Sequence, residues 1–409
     1  MNRDGALRAT VDAPRETERF QSLAGIKVAM FTGNYNYLKE GANQALNKLV
    51  GHLEDRVGAN VRVYSPVTAT PAFEPRGTLV PVPSVPLPGR SEFRLALGLK
   101  RAARADIRAF GPEIVHVATP DILCTRAQTF ALKLGLPIVA SVHTHFETYC
   151  EYYGLGRLRP LVERHLDRFY GRSDMILAPS KAVVADMAAR HGADRLRLWG
   201  RGVDTALFDP SRRSEAWRAT NGLGPNDVAL AFFGRLVLEK GIDRFAETVG
   251  VLNERGFAAR AVVIGEGPAR ARMQAALPGA IFTGHLTGDA LATAVASSDV
   301  LINPSLTETF GNVTLEAMAA GLAVVAADVP STANLIEDGM NGLVASDDIG
   351  RFAGQAGRLI EDTEFRRRLG RAARRTALDW TWERVLDSAL DSYKLILGRK
   401  MGVDRRNVF

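Results

Sequence analysis

Short runs of Val, Ile, Ala and Phe alternate with longer stretches of helical apolar spacing from one end of the chain to the other. Residues 26–31 (IKVAMF), 61–64, 114–117, 138–143 (IVASVH) and 175–178 (MILA) predict strands, with a helix over 43–53 after the first. The pattern then restarts. Residues 228–233 (VALAFF), 260–264, 280–283, 300–303 and 324–327 predict strands, with a helix over 242–255. Short, continuously apolar runs between helices indicate parallel strands buried on both faces and joined by crossover helices. The expected fold class is therefore α/β, with two Rossmann-like parallel sheets of five or six strands facing each other across a cleft. The stretch 198–210 (LWGRGVDTALFDP) holds two glycines and a proline after a strand-like run and marks the boundary. This divides the chain into a flexible tail (1–24), a first domain (25–205), a second (206–381) and a last segment (382–409). That segment is a helix expected to cross back onto the first domain. Ligands of open α/β sheets bind outside the carboxyl ends of the strands, so the loops after strands carry the candidates.

Composition narrows the classes. Of 409 residues, 46% are apolar and 24% charged, which excludes a disordered chain. Two cysteines, Cys124 and Cys150, exclude a disulfide framework and suit a reducing compartment. No apolar run approaches the ~20 residues of a spanning helix. The first residues include Asp4, Asp12, Glu16 and Glu18 and lack an apolar centre, unlike a signal peptide. A cytoplasmic protein is expected. The net charge of +7 is uneven, at +8 over residues 1–200 and −1 over the rest. A basic half suits an anionic partner, either an acidic membrane surface or nucleic acid; the alternative is an arginine-rich solvated surface. The charge concentrates over 90–108 and 157–172. Read as one helix, 90–108 places Arg101, Arg104 and Arg108 on one face and Leu95, Leu99 and Ile107 on another, as in helices lying on anionic membranes. Neither stretch interleaves aromatics with its cations, which argues against nucleic acid.

The strongest chemical signal is 305–321, SLTETFGNVTLEAMAAG. A strand runs into a polar loop, and a helix starts near Gly311. The N–H groups of Thr309, Phe310, Gly311 and Asn312 are then donors at the positive end of a helix, suited to phosphate. Glu308 precedes the helix and Glu316 lies within it. Carboxylates accept hydrogen bonds from sugar hydroxyls, so Glu316 suits a ribose diol and Glu308 a second sugar. The plainer alternatives are a charge complementing the helix dipole and an exposed helix residue. Gly234-Arg235 follows VALAFF, and Lys240 precedes the next helix. Together the two cations suit a diphosphate and its departure. In the first half, His143 ends a strand, where a neutral imidazole can bond a sugar hydroxyl or phosphate oxygen. His145 is as readily structural. No further ligands stand at metal spacing, so no metal site is expected. Gly265, Gly284, His285 and Gly41 follow strands or open a helix at further donor-facing positions.

These residues resemble a family. Glu308 and Glu316 within ETFGNVTLEAMAAG, Gly234-Arg235 with Lys240, His143, and GMNGLV at 339–344 are similar to the retaining glycosyltransferases of the GT-B fold, sequence family 4. The likeness spans residues 26–397. RLWGRGVDTALFDP and SVHTHFETY are most similar to bacterial α-mannosyltransferases and sulfoquinovosyl-diacylglycerol synthases, which glycosylate membrane lipids. The resemblance implies that Arg235 and Lys240 bind the donor diphosphate and Glu316 the nucleotide ribose. It puts Glu308 and the Phe310–Gly311 backbone on the donor sugar and His143 near the reacting centre. It also implies a nucleoside-diphosphate hexose donor (GDP-mannose or a UDP-hexose), a lipid acceptor reached from an anionic membrane, no metal and no cofactor. Two loops depart from the family pattern. Asp328-Val329-Pro330-Ser331-Thr332 and Gly41-Ala42 stand where many relatives carry paired glycines, and both loops approach the donor in the family. A polysaccharide or soluble acceptor, or a non-hydrolysing epimerase of the same fold, is the alternative. A dinucleotide oxidoreductase is disfavoured, because no Gly-x-Gly-x-x-Gly follows Phe31 and no acid ends VRVY.

Overall fold

A computed structural model describes residues 19–38, 41–87, 90–143, 159–257, 259–308 and 310–404. The chain forms two compact units. One comprises Met1–Pro179, Val184–Trp199 and Leu386–Phe409; the other comprises Ser180–Val183 and Gly200–Val385. The helix Trp382–Asp404 thus starts in the second unit and continues into the first.

The first unit holds β1 (Lys27–Phe31), β2 (Asn60–Ser65), β3 (Thr78–Pro81), β4 (Ser84–Leu87), β5 (Arg90–Ala96), β6 (Ile114–Val117), β7 (Ile138–Ser141), β8 (Met175–Ala178) and β9 (Leu196–Leu198). Seven of these form a sheet in the order β3-β2-β1-β6-β7-β8-β9, every pair parallel. The sequence predicted at most six strands. The additional edge strands β3 and β9 are short, and β3 (TLVP) is half exposed and ends on a proline, so neither carries a buried-strand pattern. β4 and β5 form a separate antiparallel hairpin.

That hairpin corrects the reading of 90–108 as one amphipathic helix. Residues 90–96 pair as strand, and the helix is Arg101–Phe110 alone. Gly98, at φ +82°, separates the two. Leu95 therefore belongs to a strand, while Ile107 and Phe110 supply the helix's buried face. Arg101, Arg104 and Arg108 remain exposed on the helix.

The second unit holds β10 (Val228–Phe233), β11 (Ala259–Ile264), β12 (Ile281–Gly284), β13 (Val300–Asn303), β14 (Ala323–Ala327) and β15 (Leu343–Ala345), in the order β12-β11-β10-β13-β14-β15, again all parallel. Alternate residues enter opposite cores: Leu230, Phe232 and Val263 pack on one face, and Ala229, Val262 and Val324 on the other. Helices cover both faces, which is why these strands read as unbroken apolar runs. In each sheet the strand order reverses beside the first strand, between β1 and β6 and between β10 and β13. Ligands bind at that point in open α/β sheets.

Within the second unit, the two chain segments that lead in and out run side by side. Val203 N–H donates to the Trp380 carbonyl at 2.8 Å, and Val203 bridges Thr381. A Cβ on Gly202 would lie 2.5 Å from Trp382 Cα. Among the described residues, no helix is long and apolar enough to cross a membrane.

Gly202→Ala is expected to lower stability by about 1–3 kcal/mol, the cost of overpacking against backbone that cannot rotate away. At Gly250, inside the helix Ile242–Glu254, nothing lies within 4 Å of where a Cβ would stand. Gly250→Ala should therefore stabilise by roughly 0.5–1 kcal/mol. Urea unfolding midpoints of both variants check the pair; equal midpoints would contradict the packing described.

Candidate active site

The carboxyl edge of the second sheet is built by close backbone packing. Gly234, at φ +146°, donates its N–H to the Ile264 carbonyl at 3.0 Å, and Leu236 donates to Glu266 O at 2.9 Å. A Cβ on Gly265 would lie 1.9 Å from Gly234 O, and one on Gly267 would lie 2.3 Å from Leu236 O. The loop after β10 is tied in turn to the loop after β13. Ser305 Oγ and Thr307 Oγ1 donate to the Glu239 carbonyl at 3.3 and 3.0 Å, and a Cβ on Gly241 would meet Pro304 O at 2.8 Å. Sequence reasoning missed the roles of Ser305 and Thr307. Their spacing in S-L-T was visible, but the carbonyl they share lies 66 and 68 residues away.

These ties fix the charged groups. Lys240 Nζ donates to Glu308 Oε1 at 2.7 Å, joining the two loops through side chains. The Glu308 side chain is 13% exposed and that of Lys240 37%, so the pair is partly open to solvent. An ammonium has three donors and a carboxylate two oxygens, so each can hold its partner and a ligand at once. Arg235 is exposed directly after β10 and forms no ion pair or side-chain hydrogen bond among the described residues.

The helix Asn312–Ala319 follows β13. Gly311 caps it at φ +98°, a left-handed conformation that glycine adopts without strain. Among the described residues, the N–H groups of Gly311, Asn312 and Val313 have no acceptor, as the first amides of a helix require, a geometry suited to an anion. Asn303 Nδ2 donates to Thr314 Oγ1 at 2.9 Å, holding the first turn to the strand. Phe310 is buried and packs edge-on against Trp380, ring centroids 5.3 Å apart. Asn312 Oδ1 is buried with no partner among the described residues.

Glu316 is the notable carboxylate. The residue retains some surface, but protein atoms surround its carboxyl, and burial pushes its pKa up to about 8. No hydrogen-bond donor reaches it among the described residues. It is neither a freely solvated helix residue nor a structural ion pair. Such a carboxyl gains most from a ligand that brings hydroxyl donors.

The structure therefore brings Arg235, Lys240, Glu308, Gly311, Asn312 and Glu316 to the β10–β13 switch point. Gly234 faces Val313, with 3.9 Å between the position of a Cβ and Val313 Cγ1. Gly265 lies at the neighbouring strand end. Gly284, at φ +74°, and the exposed His285 stand one strand further out, beside the Glu266–Arg270 ion pair. His143 and Gly41 belong to the first unit, Gly41 opening the helix after β1 and His143 following β7. Thr309, His145 and Cys150 lie outside the described residues. Among the described residues no three His, Cys, Asp or Glu side chains converge as a metal cluster would. The loop after β14 closes on itself, Thr332 Oγ1 donating to Ala327 O at 2.8 Å, and the buried Ser331 Oγ has no partner among the described residues.

Two parallel α/β sheets, each in its own unit, are the architecture of the GT-B glycosyltransferases. Sucrose-phosphate synthase from Thermosynechococcus elongatus superposes at TM-score 0.72 with 18% identity, covering 91% of this chain and all of that one. Anabaena HepE, solved with UDP and glucose, superposes at 0.69 with 18% identity, covering 90% and 99%. In sequence, residues 40–207 match Glycosyltransferase Family 4, and 227–362 match the glycosyl transferases group 1. The GDP-mannose-dependent alpha-mannosyltransferase of Mycolicibacterium smegmatis is 35% identical, covering 92% of this chain and 99% of that one. Sulfoquinovosyl transferase SQD2 of Arabidopsis thaliana is 34% identical, covering 73% of this chain and 60% of its own. The chain belongs to glycosyltransferase family 4 and is a glycosyltransferase that uses nucleotide sugars.

The raised pKa of Glu316 has a signed consequence. Between 4.5, its ordinary value, and about 8, the folded state holds a proton that the unfolded chain releases. Stability of the ligand-free protein should therefore fall as pH rises through that window. Hydroxyl donors favour the ionised carboxyl, so nucleotide binding at pH 7 should release up to about one proton. Titration calorimetry in buffers of different ionisation enthalpy measures this. Glu316→Gln should abolish the release; a wild-type binding heat independent of buffer would contradict the assignment.

Proposed function

We propose that the protein transfers mannose from GDP-mannose, with retention of the α configuration and without a metal ion, to a lipid acceptor at an anionic membrane surface. The observation that carries this reading is the set of charges at the β10–β13 switch point. There an arginine with no ion pair among the described residues, a lysine–glutamate pair at 2.7 Å, open helix amides and a buried carboxyl reached by no described donor share one strand edge. Arg235, Lys240 and the Gly311–Asn312 amides hold the diphosphate and stabilise it as it leaves. Glu316 holds the ribose hydroxyls, and Glu308 holds those of the hexose. Gly265, Gly284 and His285 border the nucleoside, and Gly41 gives the diphosphate close approach to backbone.

No step requires a protein nucleophile. The glycosidic C1–O bond to the phosphate breaks, and the acceptor oxygen bonds C1 on the same face. The acceptor proton passes to the departing phosphate oxygen, giving an α-glycoside and GDP. Glu308 is occupied by Lys240, which makes it a poor nucleophile. His143 bonds a donor or acceptor oxygen near the reacting carbon. Mannose is favoured by the full-length similarity to GDP-mannose-dependent alpha-mannosyltransferases, and a lipid acceptor by the similarity, over 46% of this chain, to a GDP-mannose-dependent alpha-(1-6)-phosphatidylinositol dimannoside mannosyltransferase.

The β4–β5 hairpin supports membrane contact. Val85 lies opposite Leu95, Leu87 ends β4 and Leu97 follows β5. All four are exposed, at 42%, 37%, 38% and 48% respectively. Ala96, on the other face, is buried. Exposed Ile122 has its Cγ2 3.6 Å from where a Cβ on Gly98 would stand, and Arg101, Arg104 and Arg108 follow on the next helix. Exposed apolar side chains beside exposed cations suit the interface of an anionic bilayer.

Two assays test this. Purified protein incubated with labelled GDP-mannose or UDP-hexoses and a lipid extract should move label from GDP-mannose into lipid, with Glu308→Gln reducing kcat by roughly 10²–10³-fold. Label in a soluble acceptor, donor turnover without an acceptor, or full activity of the variant would contradict it. In flotation assays, vesicles containing phosphatidylglycerol should carry the protein and neutral vesicles should not, with Val85→Ser/Leu95→Ser weakening the binding. Equal binding to both vesicle types would overturn the membrane reading.

A further inference from the structure

His116 and Ser141 are polar residues set wholly inside the first sheet. His116 pairs in register with Val139, so Ser141, two residues on, projects from the same face. The wholly buried Tyr393 comes from the helix Trp382–Asp404. Together with His143 these four side chains form a continuous chain. Tyr393 OH lies 2.6 Å from His116 Nδ1, His116 Nε2 lies 3.0 Å from Ser141 Oγ, and Ser141 Oγ lies 2.9 Å from His143 Nε2. Trp199 packs edge-on against both imidazoles, centroids 6.3 and 5.6 Å away.

Counting protons gives the chain a direction. The Ser141 hydroxyl has one proton and stands between two imidazole nitrogens. If both nitrogens donated to it, its own buried proton would have no acceptor in the chain. If both had to accept, one proton would serve two bonds. One imidazole must donate and the other accept. The far end decides which. His116 Nδ1 is the one hydrogen-bond partner of the Tyr393 hydroxyl among the described residues, so the phenol donates there. His116 then carries its proton on Nε2 and donates to Ser141, and Ser141 donates to His143 Nε2. The reverse direction would strand the buried phenol proton, which costs more than a hydrogen bond gains.

We infer that Tyr393, His116 and Ser141 are positioning residues that fix His143 as the Nδ1–H tautomer, with Nε2 as its acceptor and Nδ1 as its donor nitrogen. The part played in transfer rests on the reading that His143 touches substrate; the tautomer itself does not. Burial lowers the His116 pKa to about 3, so this ring stays neutral with one donor and one acceptor. Burial raises that of Tyr393, which stays a phenol. The last helix of the chain thereby sets the protonation pattern of a residue 250 positions earlier in the sequence.

The test uses the full chain labelled with ¹⁵N-histidine. Two-bond ¹H–¹⁵N correlation distinguishes protonated from bare ring nitrogens, and His143→Gln assigns the resonance. The wild type should show a protonated Nδ1 and a bare Nε2 at His143. Tyr393→Phe keeps the ring that packs against His116 and removes only the donor, and Ser141→Ala cuts the next link. Both should shift His143 toward the other tautomer, with kcat falling roughly tenfold and the donor KM little changed. Three results would overturn the inference: Nε2–H in the wild type, unaltered His143 shifts in both variants, or an unchanged kcat in a variant whose tautomer has moved. Absence of transfer by every form would refute the transferase reading, while the nitrogen shifts would still decide the tautomer.

Discussion

Backbone packed against backbone at the carboxyl edge of the second sheet is the constraint on which the rest depends. At Gly234, Gly241, Gly265 and Gly267 the loops after β10, β11 and β13 approach so closely that a methyl group would overlap a neighbouring carbonyl or strain the chain. That packing places Lys240 beside Glu308 and sets Arg235 at a strand end where, among the described residues, no carboxylate competes for it. It also leaves helix amides pointing outward from the switch point. Charges brought together in this way require little reorganisation when a charged ligand arrives.

The two glutamates of the site differ by environment rather than by type. Glu308 is neutralised by a lysine and retains an oxygen for a second contact. Glu316 has no such partner among the described residues and is held in its protonated form by burial. One carboxylate is thus paired with a cation, while burial favours the protonated form of the other. That division suits a substrate with two sugar rings on either side of a diphosphate.

Much of this was legible in the sequence. Buried parallel strands announce themselves as unbroken apolar runs, and 114–117, 175–178, 228–233 and 300–303 agree with β6, β8, β10 and β13 to the residue. The site motif was legible because its chemistry is local, with a strand, a polar loop, Gly311 and a helix in sequence. Elements stabilised by distant partners were not. The β4–β5 hairpin was hidden beneath a helical charge pattern, and edge strands β3 and β9 bury too little to leave a signature. His116 carries no local signal inside IVHV, since its meaning comes from Tyr393, 277 residues away. Hydrogen bonds between side chains far apart in sequence have no periodicity to betray them.

The most direct test of the central claim is a crystal structure of the protein with GDP bound. The account predicts the diphosphate against Arg235, Lys240 and the Gly311–Asn312 amides, with both ribose hydroxyls on Glu316. A nucleotide bound away from the β10–β13 edge, or a ribose turned from Glu316, would contradict it.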